Sequence, residues 1–373
     1  LIKQMARYRW FWSSVILLAF LLIFMWWRWQ TTESLRFVRN LGVGFNLGNT
    51  LDVHDLHFDT NQPSDFEIYW GNPVTTKEMI ADIKEAGFDV LRIPVSWEEH
   101  LDENGAVHKE WMDRVQQLVD YAISEDLYVI INAHHDSWYT PDDAHLDSAR
   151  KRMSQLWSQI SQRFAAYDER LLFESMNEPR LIGTAEEWTV GTPRAREIVN
   201  ELNEIFVRTV RKSGGMNEKR YLLLPTYCAR IETATLEDFR LPQDKRLILS
   251  VHLYVPFDFA LNPTGTQYFS SDDTLAVDQI FKDLNRLLIS KNIPAIITEF
   301  GAVDKKNEHE RSVWVHHILG QARKSGISCI WWDAGGPPEE GKPYPLYNRV
   351  ARQWLFPDLL KTLTGRAEKE RGP

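Results

Sequence analysis

From Leu41 onward the chain alternates short apolar runs with longer stretches whose apolar residues recur every three or four positions. The runs are Gly42 to Asn46, Val90 to Ile93, Tyr128 to Asn132, Leu171 to Glu174, Tyr221 to Leu224, Leu247 to Val251, Ala295 to Thr298 and Ser328 to Trp332. Runs this continuous predict parallel strands covered on both faces, and the stretches between them predict the crossover helices. "TTKEMIADIKEAG" opens at Thr75 or Thr76 and closes at Gly87, "DDTLAVDQIFKDLNRLLISK" is capped at Asp272 or Asp273, and "YNRVARQWLFPDLLKTLTG" closes the ring. Eight such repeats predict an α/β chain with a single (β/α)8 TIM barrel over residues 41–364. A dinucleotide-binding sheet is excluded, because "GVGFNLGN" lacks the third glycine of that fingerprint.

Before the barrel stands a different pattern. "WFWSSVILLAFLLIFMWW", Trp10 to Trp27, is an uncharged run of 18 residues, long enough to cross a bilayer. Trp10, Trp12, Trp26, Trp27 and Trp29 lie at its ends as interfacial belts do. No small-residue cleavage site follows in "RWQTTESLRF", so residues 1–29 are expected to remain as a single-pass transmembrane signal anchor, with secretion after cleavage as the alternative. Residues 30–40 read as a short linker and 365–373 as a charged tail. The flanking cations, Lys3, Arg7 and Arg9 against Arg28, Arg36 and Arg39, are balanced and set no orientation.

The composition is 43% hydrophobic and 25% charged over 373 residues, enough for a large core, with a net charge of −9. That balance offers phosphates no evident cationic face, so no nucleic-acid partner is expected. Cys228 and Cys329 both close apolar runs and read as buried free thiols.

The C-terminal ends of barrel strands carry the chemistry of this fold, and here they are crowded with polar groups. In order they are Asn46 and Asn49, Arg92, His134 and His135, Asn177 and Glu178, His252 and Tyr254, Glu299, and Trp332. Any one alone reads as a loop-capping group. Together they supply two carboxylates, a fixed cation, imidazoles, a phenol and an indole, suited to acid/base and carboxylate-nucleophile chemistry on a hydroxyl-rich ligand. In "LLFESMNEPR" the strand rise sets Glu174 about 13 Å below Glu178. Glu174 is thus expected in a buried pair or hydrogen bond within the barrel, and Glu178 at the mouth, where Pro179 ends the ladder.

"LLFESMNEPR" closely resembles the Asn-Glu-Pro signature of glycoside hydrolase family 5, and further similarity runs through "GFNLGNTLD", "YWGNPVTTKEMIADIKEAGFDVLRIPVSW", "VIINAHHD", "VHLYVPFDF", "AIITEFGAVDK" and "CIWWDAGG". The blocks resemble the endo-β-1,4-glucanase subfamily numbered four; Thr298 and Ala133 depart from its usual residues. The resemblance implies a retaining endo-acting hydrolase of β-glucans, with Glu178 as acid/base and Glu299 as nucleophile. Arg92 and Tyr254 would keep Glu299 ionised, and the negative charge beside Glu178 would keep it protonated. Asn177 would bind the sugar 2-hydroxyl, the three histidines would orient hydroxyls or the acid/base, and Trp332 would floor the sugar. The implied substrates are cellulose derivatives, mixed-linkage glucan and xyloglucan, with xylan or mannan as alternatives. A polymer of this kind places the barrel outside the cytoplasm.

"HHD" lacks zinc-type spacing, so no metal or cofactor is expected, and no obligate protein partner is evident. Trp138 and Trp188 follow the third and fourth strands, as outer sugar platforms or as rim anchors. Two rival classes are a catalytically silent glycan-binding barrel and a barrel acting on phosphorylated metabolites. The second would require a glycine-rich phosphate loop, and "WWDAGGPPEEGKP" sets Glu339 and Glu340 where that phosphate would sit.

Overall fold

The computed structural model describes residues 33–336 and 344–365. Eight parallel strands close on themselves in sequence order: β1 (Gly44–Leu47), β2 (Val90–Ile93), β3 (Tyr128–Asn132), β4 (Leu171–Glu174), β5 (Leu222–Pro225), β6 (Leu247–Leu253), β7 (Ala295–Phe300) and β8 (Ser328–Asp333). The ring is sealed by β8 pairing with β1, Gly44 opposite Ile330 and Asn46 opposite Trp332. The expected barrel is therefore present, with β6 and β7 running two residues further toward the mouth than their apolar runs suggested.

Strand alternation divides each run between two cores. Outward residues such as Leu91, Val129, Ile131, Phe173, Leu222 and Leu249 pack with the surrounding helices. Inward ones form a separate apolar layer at the base, Val90, Ile130, Leu172, Leu223, Ile248, Ile296 and Ile330. One step higher the inward positions turn polar and still buried: Asn46, Arg92, Asn132, Glu174, Ser250 and Thr298.

Part of the stretch read as a linker closes the base. Glu33–Asn40 is helical, with Ser34, Leu35 and Val38 buried, and Val38 and Leu41 join the inner apolar layer. Phe37 stacks on Tyr221 with ring centroids 3.8 Å apart. A short helix like this is marginal alone; burial of one face against the strand ends stabilises it.

The helix Lys77–Ala86 starts and stops as its sequence indicates, with the Thr76 side chain accepting from the Met79 amide and Gly87 left-handed at φ 107°. The helix Ser271–Leu287 is capped instead by Ser270, which exchanges hydrogen bonds with Asp273 in a capping box. The closing segment is only half helical. Asn348 accepts from the amides of Val350 and Ala351, a local bond that diverts the chain into a two-stranded ladder of β9 (Tyr347–Asn348) and β10 (Gln353–Trp354). The helix begins only at Pro357. Cys228 and Cys329 are buried and unpaired.

The expected anchor, residues 1–29, lies outside the described residues, as does the tail beyond Gly365. Among the described residues no helix is long and apolar enough to cross a membrane.

Candidate active site

Arg92, the third residue of β2, organises the mouth from below. Its Nε donates to Glu174 at 2.7 Å, one terminal nitrogen to Asn46 at 2.9 Å and to Glu299 at 2.7 Å, and the other to Asn177 at 2.8 Å. Burial works against its charge, but the charges of Glu174 and Glu299 outweigh this and raise its pKa on balance. Glu174 thus has the buried partner expected of it; its second oxygen accepts from the Ser250 hydroxyl, which also pairs with the Thr298 hydroxyl at 2.6 Å. The unusual Thr298 extends the network by one link.

The two mouth glutamates come together across the barrel. One carboxylate oxygen of Glu178, one nitrogen of His252 and one carboxylate oxygen of Glu299 all lie within 4.8 Å of one another. His252 Nδ1 is 2.8 Å from Glu178 and 3.5 Å from Glu299; the Tyr254 hydroxyl donates to Glu299 at 3.0 Å. Glu299 owes its aim to a β-bulge. The pairing of β6 with β7 slips so that Val251 faces Ile297 but His252 faces Glu299. Thr298 is the extra residue, so that it and its neighbour Glu299 both reach the interior network instead of alternating sides.

The electrostatics differ from the expectation in direction. Burial pushes Glu178 up, but the hydrogen bond and charge of His252, with Arg180, pull it below the ordinary carboxylate value. Burial and the charge of Glu178 hold Glu299 above that value despite His252 and Arg92. Burial would lower His252, yet Glu299 and the bond to Glu178 raise it on balance. Tyr254 is kept protonated, first by burial and then by the charge of Glu299. Both directions favour the imidazole over Glu178 as holder of the proton between them.

The remaining candidates separate into two groups. Asn177 uses its oxygen on Arg92 and has no bond from its amide nitrogen that competes with a ligand among the described residues. His134 lies parallel to Trp332, ring centroids 5.8 Å apart. It is held neutral by burial and by His135; His135 is itself pushed down to about 3 by burial and by His54. Trp332 lies flat because Gly48 has no side chain: a Cβ there would meet the indole at 2.8 Å. Asn46 belongs to the buried network below the mouth, and Asn49 to the turn above it. Asn46 is wholly buried and donates to the carbonyl of Thr298 at 2.9 Å, and Asn49 is a left-handed turn residue, φ 53°. Trp138 is buried against Tyr139, which fits the rim-anchor reading. Trp188 is 57% exposed with the Arg180 guanidinium 4.2 Å from its ring centre.

Several groups gave no sequence signal. Arg180 ends the very segment that carries Glu178 and lies 3.8 Å from its carboxylate. A cavity of about 460 Å³ runs from His134 and His135 past His54, Ser96, Glu98 and Arg180. It shares Glu98, Ser137 and Ile182 with a neighbouring cavity of about 510 Å³, so a groove continues along the rim. His54 and Trp70 pack edge to face at its side, 5.3 Å apart. Loop residues of this kind are recognised by where the barrel brings them, which no local pattern encodes.

Comparison with known proteins gives the class of this barrel with its paired-carboxylate mouth: a glycoside hydrolase. The family model for cellulase (glycosyl hydrolase family 5) matches residues 52–337. Endoglucanase A of Clostridium longisporum is 42% identical over 333 residues, 87% of this chain and 64% of that protein, so the chain spans less than two thirds of its length. Endoglucanase 1 of Ruminococcus albus is 43% identical over 343 residues, 91% of this chain and 82% of that protein. A GH5-4 broad specificity endoglucanase from Ruminococcus champanellensis, solved with bound cellotriose, has a TM-score of 0.86 at 39% identity, covering 90% of this chain and 99% of that one. The chain belongs to glycosyl hydrolase family 5.

Proposed function

We propose that this glycoside hydrolase is an endo-acting β-1,4-glucanase that cleaves internal bonds of β-glucans with retention. The observation that carries the reading is the carboxylate pair: oxygens of Glu178 and Glu299 within 4.8 Å suit the short separation of about 5–5.5 Å used by retaining enzymes. Glu299, fixed by Arg92 and Tyr254, attacks the anomeric carbon. Glu178 gives a proton to the departing oxygen, takes it back from water in the second step, and is supplied through its 2.8 Å contact with His252. The active form has Glu299 ionised and one proton on the Glu178–His252 pair. The acid limb of the pH profile then lies above the ordinary carboxylate range, and the alkaline limb above that of ordinary histidine. Trp332 floors the reacting sugar, and Asn177 hydrogen-bonds its 2-hydroxyl as positive charge develops.

The long rim groove favours internal attack on a polymer, and the cellotriose bound to the Ruminococcus champanellensis relative supports a β-1,4-glucan backbone; cellulose derivatives, mixed-linkage glucan and xyloglucan are the substrates we assign. We read Trp10 to Trp27 as a membrane anchor holding the barrel on the extracytoplasmic side, where such polymers are met. The deciding experiment is Glu299→Ala on an activated aryl glucoside. Added azide should restore turnover with an azide product of inverted configuration. If that variant keeps hydrolysing with retention, another group is the nucleophile.

A further inference from the structure

The base of the barrel gathers charge that its sequence scatters. Exposed Arg39 lies in the last turn of the helix Glu33–Asn40 that plugs the base, Lys245 precedes β6, Lys291 precedes β7, and Arg323 and Lys324 precede β8. Parallel strands all start at the same end, so these residues share the face opposite the mouth. Three of them, Arg39, Arg323 and Lys324, line a cavity of about 470 Å³ that also includes Gly42 and Ser328. The same helix reaches the start of β6, where Ser34 donates to the Lys245 carbonyl at 2.7 Å. The nearby carboxylates have partners of their own: Glu33 bonds Arg246, Asp244 lies 2.7 Å from Arg211, and Asp89 lies 3.4 Å from Lys84. The acids Asp126, Asp168 and Glu169 precede β3 and β4, so the cationic sector is confined to the β6, β7, β8 and β1 side. Cations are favoured at a helix C-terminus in any case, which accounts for Arg39, Lys291, Arg323 and Lys324 one by one but neither for Lys245 nor for their meeting on one face.

Where the chain leaves this face supplies the partner. Five residues, Arg28 to Thr32, separate Trp27 from the start of the plug helix at Glu33. Fully extended they reach no more than about 18 Å. On the reading of Trp10 to Trp27 as a bilayer span, the base is therefore the side turned to the membrane, and the mouth opens away from it. A basic face at that distance lies within reach of an anionic lipid surface, whose attraction decays over about 8 Å at physiological salt. We propose that the cationic sector of the base docks on anionic phospholipid headgroups, orienting the mouth outward toward polymer.

The test uses the full chain reconstituted in vesicles of phosphatidylcholine alone or with added phosphatidylglycerol. Lysine labelling by an amine-reactive reagent is read by mass spectrometry, with Lys151 at the mouth side as internal reference. Lys245, Lys291 and Lys324 should be protected several-fold in the phosphatidylglycerol vesicles, and high salt should remove the protection. A variant carrying Lys291→Glu, Arg323→Glu and Lys324→Glu should lose protection at Lys245 while hydrolysing a short soluble glucan at the wild-type rate. Equal labelling in both vesicles, or protection unchanged in the variant, overturns the docking face. Failure of the anchor has a separate signature: the chain would not float with phosphatidylcholine vesicles after a salt wash. In that case salt-sensitive flotation with phosphatidylglycerol vesicles, lost in the triple variant, still supports the docking face, and no flotation with either overturns it.

Discussion

At the level of Asn46, Arg92, Glu174, Ser250 and Thr298 the barrel interior is a closed hydrogen-bonded network; one layer lower it is built of Val90, Ile130, Leu172, Ile248, Ile296 and Ile330 and capped by an amphipathic helix. Both layers are fully buried and both are needed to fill the barrel. They differ in what their energy is used for. The apolar layer stabilises by removing hydrocarbon from water and tolerates approximate shape. The polar layer contributes little net stability, because its buried charges were costly to desolvate, but it fixes where Glu299 and Asn177 point. Substitutions in the two layers should therefore separate activity from stability.

The largest effect belongs at the top of the polar side. Glu178→Gln should slow hydrolysis of a natural glucan by about 10²–10⁴-fold and an aryl glycoside with a good leaving group far less, with the denaturation midpoint nearly unchanged; equal loss on both substrates would remove Glu178 from the proton-donor role. One step down, Glu174→Gln removes the carboxylate charge that pairs with Arg92 at its Nε. Breaking a buried pair in this way costs about 3–5 kcal/mol, so both urea stability and turnover should fall, which ties the supporting layer to the reacting one. At the base, Leu35→Ala should cost about 2–5 kcal/mol for a filled position opened to a cavity, while kcat per folded molecule stays at the wild-type value. A change in kcat there would mean that the two layers are coupled.

The smallest test uses pH. Asp136 is raised from 3.8 to about 7, first by burial and then by the charge of Glu98, against hydrogen bonds from the Trp97 and Glu98 amides. The folded protein thus keeps a proton that the unfolded chain releases. Asp136 contributes most below about pH 4, and that contribution is lost as pH rises to about 7. Asp136→Asn should flatten this decline in a denaturation series without abolishing it, because Asp52, raised to about 6 mainly by burial, adds the same sign. An unchanged slope would show that Asp136 is ionised in the folded state.

The eight strands, their polar ends and the two mouth glutamates were legible in the sequence because each depends on local spacing: apolar runs of strand length, and polar residues that immediately follow them. So was the structural role of Glu174, since a strand's rise alone puts it below the mouth. Glu299 was legible as a residue but not in its aim, which the bulge at Thr298 decides through pairing with β6. The direction of the proton balance is beyond local spacing for the same reason: against burial, it is the bond and charge of His252 that bring Glu178 below its ordinary value, and 74 positions separate them. Neither the four-way role of Arg92 nor the cationic sector at the base can be read along the chain. Composition reported only a net negative charge, whereas parallel closure of the barrel brings Arg39, Lys245, Lys291, Arg323 and Lys324 to one end. Sequence determines period and therefore elements; only closure of the ring determines which distant side chains share a dielectric environment, and charge interactions depend on that distance and burial.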